Sequence, residues 1–238
     1  MLQHLNIEQF TTQSGVAQDL KLSYQVFGKP LHTAPIILVN HALTGNSNVA
    51  GKDGWWSDLI GDGKCIDTEK YTILSFNIPG NGFDGFIIEN YKDFVAGDIA
   101  RIFLWGLKEL EIDKLFAIIG GSLGGGIAWE MTAINPKITE HLIPVASDWK
   151  STDWLIANCQ IQEQFLVNSK QPVHDARMHA MLCYRTPESF KVRFQRSVNE
   201  QLGVFNVESW LLHHGKKLQS RFQPVSYTHL TLPTILRV

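Results

Sequence analysis

The sequence is poor in the features that mark several protein classes. It has 3 cysteines in 238 residues, Cys65, Cys159 and Cys183. An odd number with no close spacing argues against a disulfide framework and against a C-x-x-C redox or metal site, so no metal is expected. No run approaches the 18 or so uninterrupted apolar residues that a membrane-crossing helix needs. The opening residues Met1-Leu2-Gln3-His4-Leu5-Asn6 offer neither a basic region nor a long apolar stretch, so no secretory leader is expected and the chain reads as cytoplasmic. Net charge is also slight. The 21 Lys and Arg nearly offset the 23 Asp and Glu, leaving −2, and the basic residues are scattered. That removes the electrostatic case for a nucleic-acid partner. Internal repeats and low-complexity linkers are missing too. What remains is 44% hydrophobic and 18% charged residues, enough to bury one sizeable core.

Apolar runs alternate with helical patterns over the first 149 residues. Leu20 to Val26 alternates as a strand, and Pro35 to His41 is a continuous apolar run suited to a strand buried on both faces. Tyr71 to Asn77 repeats that pattern and ends in the turn-rich Ile78-Pro79-Gly80-Asn81-Gly82-Phe83-Asp84-Gly85. Asp93 to Leu110 has helical spacing, Leu115 to Ile119 reads as a strand, and a following helix is expected to stop near Asn135-Pro136. His141 to Ala146 completes the series. Strands alternating with helices imply βαβ units and a mostly parallel sheet. From Lys150 onward no strand is evident. Helices are expected at 154–168, 174–184, 187–196 and 207–221, as a lid placed over the carboxyl end of the sheet, where ligands of such folds bind. The expected division is therefore an α/β core over 1–149, a helical lid over 150–222 and a tail over 225–238.

The segment Gly120-Gly121-Ser122-Leu123-Gly124 lies between the Leu115–Ile119 run and Gly125-Gly126-Ile127-Ala128-Trp129-Glu130-Met131. A buried strand, a tight glycine turn with one serine, and then a helix form the context of a nucleophile elbow. The serine takes a strained backbone conformation, and the flanking glycines let strand and helix approach. Its hydroxyl then stands above the first N–H groups of the helix, which can bind a developing oxyanion. Ser122 is the candidate nucleophile.

The tail Val225 to Val238 invites a different explanation. One DNA reading of Val225 to Thr234 resembles a transposon adapter used in sequencing libraries, so this stretch is expected to be non-native and the natural protein to be cut soon after Pro224. The alternative is a genuine strand at 227–232.

Several segments, in order from about Leu20 to Phe222, resemble the homoserine O-acetyltransferase family. They are His41-Ala42-Leu43-Thr44-Gly45-Asn46, Gly54-Trp55-Trp56, the Ser122 elbow, Ala176 to Phe190, Val207 to Leu211, Gly215 to Leu218 and Arg221-Phe222. Asn77 to Gly85 departs from the family pattern, being shorter and more turn-like. The resemblance implies an α/β-hydrolase fold with a mostly parallel sheet, a helical lid insertion and its last strands missing. It also implies transfer of an acyl group from acyl-coenzyme A to an amino-acid hydroxyl through an acyl-serine on Ser122. The N–H groups of Leu43 and Leu123 would form the oxyanion hole, and Arg177 would hold the α-carboxylate of homoserine. His41 is read as support for that loop, and Arg185 as an ion-pair partner within the lid. Beyond acetyl-CoA or another acyl-CoA as co-substrate no cofactor is implied, and a homodimer is expected of the complete protein. The competing readings are an esterase using the same elbow and an inactive fragment.

The family's triad histidine sits in a Gly-His-Asp segment that this chain lacks. After Ser122 the aspartates are Asp148, Asp153 and Asp175, and the histidines His141, His174, His179, His213, His214 and His229. Asp148 with His213 or His214 is the one alternative triad; the favoured expectation is that the acid and base lie beyond the truncation.

Overall fold

The computed structural model of the chain describes residues 1–222, and the expected tail over 225–238 lies outside them. The elements in order are β1 (Gln3–Thr11), β2 (Ala17–Gly28), β3 (Ile36–Asn40), the two-residue β4 (Ile60–Gly61) and β5 (Ile66–Asp67), β6 (Thr72–Phe76), α1 (Ala96–Glu109), β7 (Leu115–Gly121), α2 (Leu123–Ile134) and β8 (Thr139–Val145). Six of these strands form one sheet in the order β1-β2-β6-β3-β7-β8. The pairings β6–β3, β3–β7 and β7–β8 are parallel, and β1–β2 and β2–β6 are antiparallel.

The apolar runs dictate this order. Every residue of β3 and of β6 is buried, as strands covered on both faces must be. On one face the main core joins Leu38, Leu74 and Ile118 to Ile102 and Phe103 of α1 and to Ile127 and Met131 of α2. On the other, Ile37, Val39, Ile73 and Ile119 are closed off by the Trp55–Trp56 loop rather than by a helix. Those two indoles meet at a tilt of 34°, with centroids 4.7 Å apart.

β1 is not foreseen from the sequence. Only Ile7 among its residues is buried, so no apolar period betrays it, and its ladder with β2 holds it in place. β2 runs past both ends of the expected 20–26 strand for the same reason.

After β8 come α3 (Asp153–Asn168), α4 (Pro172–Cys183), α5 (Pro187–Phe194), the two-residue β9 (Val198–Asn199) and β10 (Val204–Phe205), and α6 (Asn206–Gln219). The β9–β10 ladder corrects the expectation that this segment lacks strands; two residue pairs are too few for a period to show. Thr152 and Thr186 cap α3 and α5 by accepting the N–H groups of Leu155 and Ser189. Val173 and Ala176 of α4 and Leu218 of α6 form a small core of their own, and Leu43 and Phe222 pack against it. Leu43 also touches the main core, so the loop after β3 is clamped between sheet and helices.

Candidate active site

Ser122 lies at the point where β7 becomes α2, with φ +52° and ψ −118°. A non-glycine residue at positive φ is strained, and here the surroundings enforce it. The Ser122 N–H donates to the Val145 carbonyl at 2.9 Å, and its own carbonyl accepts from Gly125 and Gly126 as the helix begins. The glycines are required for space. A Cβ on Gly120 would stand 2.1 Å from the Gly124 carbonyl oxygen, and one on Gly124 would stand 2.2 Å from that of Asn40. Helix and strands therefore touch backbone to backbone, and the Ser122 side chain is left exposed.

The second half of the site is the loop leaving β3. His41 is 1% exposed. Its Nδ1 sits 2.7 Å from the Ala42 carbonyl and its Nε2 is 3.1 Å from the Ile78 N–H, so Nδ1 carries the proton and Nε2 accepts. Burial lowers its pKa to about 4, against the smaller opposing effect of the Ala42 bond, and the ring is neutral near pH 7. Beside it, Asn77 accepts the Ser47 N–H at 2.7 Å and donates to Ser23 and Ser47 hydroxyls at 2.8 and 3.0 Å. Asn81 donates to the Asn77 side-chain oxygen at 3.2 Å. The 77–81 turn is thus tied to the loop by buried polar bonds, which are costly to break. Among the described residues the N–H groups of Leu43 and Leu123 donate to no other acceptor.

Ser122 opens into a cavity of about 190 Å³ whose walls include Leu123, Glu130, Asp148, Trp149 and Leu155. Glu130 escaped the sequence reading. Ser122, Gly126 and Glu130 recur at four-residue spacing, which places them along one face of α2, and that spacing was the available signal. Burial raises the Glu130 pKa. No histidine lines the cavity among the described residues. Asp148 does, but its carboxylate accepts the adjacent Trp149 N–H at 2.8 Å. His214 meets the Trp210 ring edge-on and His213 meets His214 in the same way, and neither lines the Ser122 cavity, so the structure does not assemble the alternative triad. His174 is paired with Asp175 at 2.7 Å, and the Ser169 hydroxyl and His174 together hold that carboxyl below its usual range. Burial pushes the Cys159 thiol up to about 11, so it is no nucleophile.

Arg177, on α4 immediately after the buried Ala176, does not line the Ser122 cavity. Its guanidinium stands 5.4 Å over the Tyr184 ring. Arg185 lies 5.7 Å over Trp210 and forms no ion pair among the described residues, contrary to expectation; the ring supplies a face where a carboxylate was anticipated.

Residues 35–165 match the family model of the alpha/beta hydrolase fold. With the strained serine between strand and helix, this makes the chain an α/β-hydrolase-fold protein. It is 34% identical over 244 residues to a homoserine O-acetyltransferase of Chloroherpeton thalassium, covering 91% of this chain and 64% of that protein. To the one of Symbiobacterium thermophilum it is 32% identical over 262 residues, covering 90% and 67%. The crystal structure of homoserine O-acetyltransferase from Staphylococcus aureus superimposes with a TM-score of 0.82 at 28% identity, over 100% of this chain and 72% of that one. The chain belongs to the homoserine O-acetyltransferase family and spans about two thirds of its relatives' length. None of the helices among the described residues is long and apolar enough to cross a membrane.

Proposed function

We propose that the full-length protein is an acyl-CoA-dependent homoserine O-acetyltransferase acting in the cytoplasm in methionine biosynthesis, with Ser122 as its nucleophile. The positive-φ elbow at Ser122 carries this reading, and family membership supports the substrate class. The Ser122 hydroxyl attacks the thioester carbonyl, the carbon–sulfur bond breaks, and coenzyme A leaves as its thiol with the serine proton. The acyl-serine is then attacked by the homoserine side-chain hydroxyl. The ester bond to Ser122 breaks and the acceptor's proton returns to the serine. In both halves the N–H groups of Leu43 and Leu123 receive the tetrahedral oxyanion. One such donor contributes about 3–4 kcal/mol of barrier stabilisation. His41 and the 77–81 turn hold the Leu43 loop in place. Arg177, with the Tyr184 ring beneath it, takes the acceptor's carboxylate when the lid closes over the site. The base and its orienting carboxylate come from the portion of the relatives' length outside this chain, where the family resemblance puts a Gly-His-Asp segment. The complete enzyme works without a metal, as a homodimer.

Brief exposure of the full-length protein to acetyl-CoA is expected to add one acetyl group to Ser122, read by mass, and Ser122→Ala to abolish the adduct. An adduct that survives this substitution overturns the assignment. Acetate release that homoserine does not divert into O-acetylhomoserine would make the protein an esterase.

A further inference from the structure

We propose that a second cavity, lined by the residues that follow Leu43, receives the pantetheine arm of the acyl donor, and that Arg221 at its rim pairs with the donor's phosphates. This rests on the acyl-CoA reading above. The cavity measures about 270 Å³, and its walls include Thr44, Asn46, Asn81, Phe83, Arg221 and Phe222. It begins one residue after Leu43, so a thioester whose carbonyl rests on the Leu43 N–H has this space beside it. Pantetheine is a chain of methylenes broken by amides, and the lining fits that alternation. The Thr44 hydroxyl and the Asn46 side-chain NH₂ form no hydrogen bond among the described residues, while Ile87 and Phe222 supply apolar contact. The volume falls below the roughly 300 Å³ where whole-ligand sites begin, which suits an arm rather than an entire cofactor.

Arg221 is placed by the end of α6. The N–H groups of Arg221 and Phe222 both donate to the Leu218 carbonyl, at 2.9 and 3.0 Å. Phe222 is anchored in the same small core that holds Leu43, so the neighbouring guanidinium is brought to the loop it faces. Among the described residues that guanidinium has no carboxylate within ion-pairing distance, and no acidic residue of theirs lines the cavity. Asp84, two residues past Gly82 on the rim, turns its buried carboxylate 4.0 Å from His4 instead. Arg221 is exposed, its guanidinium lies 5.9 Å over the Phe222 ring and it has no carboxylate partner among the described residues, so its N–H groups at the mouth of an amide-rich slot are suited to forked bonding with phosphate oxygens.

Calorimetric titration of the 238-residue chain with coenzyme A, pantetheine and inorganic diphosphate tests this without requiring turnover. Coenzyme A is expected to bind more tightly than pantetheine or diphosphate. Arg221→Gln is expected to weaken coenzyme A by about tenfold or more, to remove most of its salt dependence and to leave pantetheine affinity unchanged. Unchanged pantetheine binding also shows that the variant is folded. Coenzyme A bound equally well by the wild type and Arg221→Gln overturns the role of Arg221 while the donor reading stands. Equal weakening of pantetheine, or coenzyme A binding no tighter than diphosphate, also overturns it. A 238-residue wild type that binds neither coenzyme A nor pantetheine overturns this proposal, and a full-length protein that also binds neither overturns the donor reading with it.

Discussion

His41 shows how one buried side chain ties a loop to its neighbour. Its folded pKa of about 4 lies below the ordinary 6.5, so as pH falls the unfolded chain takes up the proton first. The stability it contributes is full above about pH 6.5, declines between there and about pH 4, and amounts to about 3 kcal/mol in total. Urea melts across that window are expected to show this slope in the wild type and to lose it in His41→Gln; parallel slopes would contradict the neutral, buried tautomer. Arg177 makes a different prediction, conditional on its proposed role. In the full-length enzyme Arg177→Ala is expected to leave acetylation of Ser122 by acetyl-CoA largely intact and to slow transfer to homoserine, because the guanidinium meets the acceptor and not the thioester. Equal loss in both half-reactions, measured in single turnovers, would remove it from the acceptor site.

At the level of elements, the contact that matters most is the one between α2 and the end of β3. Gly124→Ala places a methyl group 2.2 Å from the Asn40 carbonyl oxygen, a backbone atom that cannot swing aside. The expected cost is about 1–3 kcal/mol or more in denaturant melts, as overpacked sites show. Gly126, two residues on, has nothing within 4 Å of the corresponding position. Gly126→Ala is therefore expected to leave stability unchanged or raise it by up to about 1 kcal/mol through helix propensity. A Gly124→Ala protein as stable as wild type would mean that helix and strand sit farther apart than described. The apolar runs of β3, β6 and β7 and the glycine pattern of the elbow were legible because burial on both faces and close approach each demand particular residues. β1 and the β9–β10 ladder were not, because backbone pairing holds them without an apolar face.

For the whole molecule, the sheet of the described residues ends at β8, where Ile143 and Val145 are exposed by 44% and 43%. An apolar edge invites pairing with other chains. Light scattering of the 238-residue chain is expected to grow with concentration, and Ile143→Lys to suppress it; a wild type that stays monomeric at high concentration would refute this. Turnover is the companion measurement. With no histidine in the Ser122 cavity among the described residues, this chain is expected to acetylate homoserine no faster than its Ser122→Ala variant.

The sequence alone determined the strands β2, β3, β6, β7 and β8 with the helices that follow them, the serine turn and the family, since each follows from local spacing and short motifs. It also led to Leu43 and Arg177, through resemblance. Only the tertiary structure decided that His41 is neutral and bonded to the 77–81 turn, that Leu43 lies between two cores, and that Glu130 shares a cavity with Ser122. It likewise separated Asp148 from His213 and His214, and set Arg221 against the loop after β3. Most of these facts depend on which distant segments meet and what burial does to their polar groups. A linear pattern carries neither, because His41 and its partner Ile78 are 37 residues apart and the protonation of His41 is set by the surroundings that folding creates.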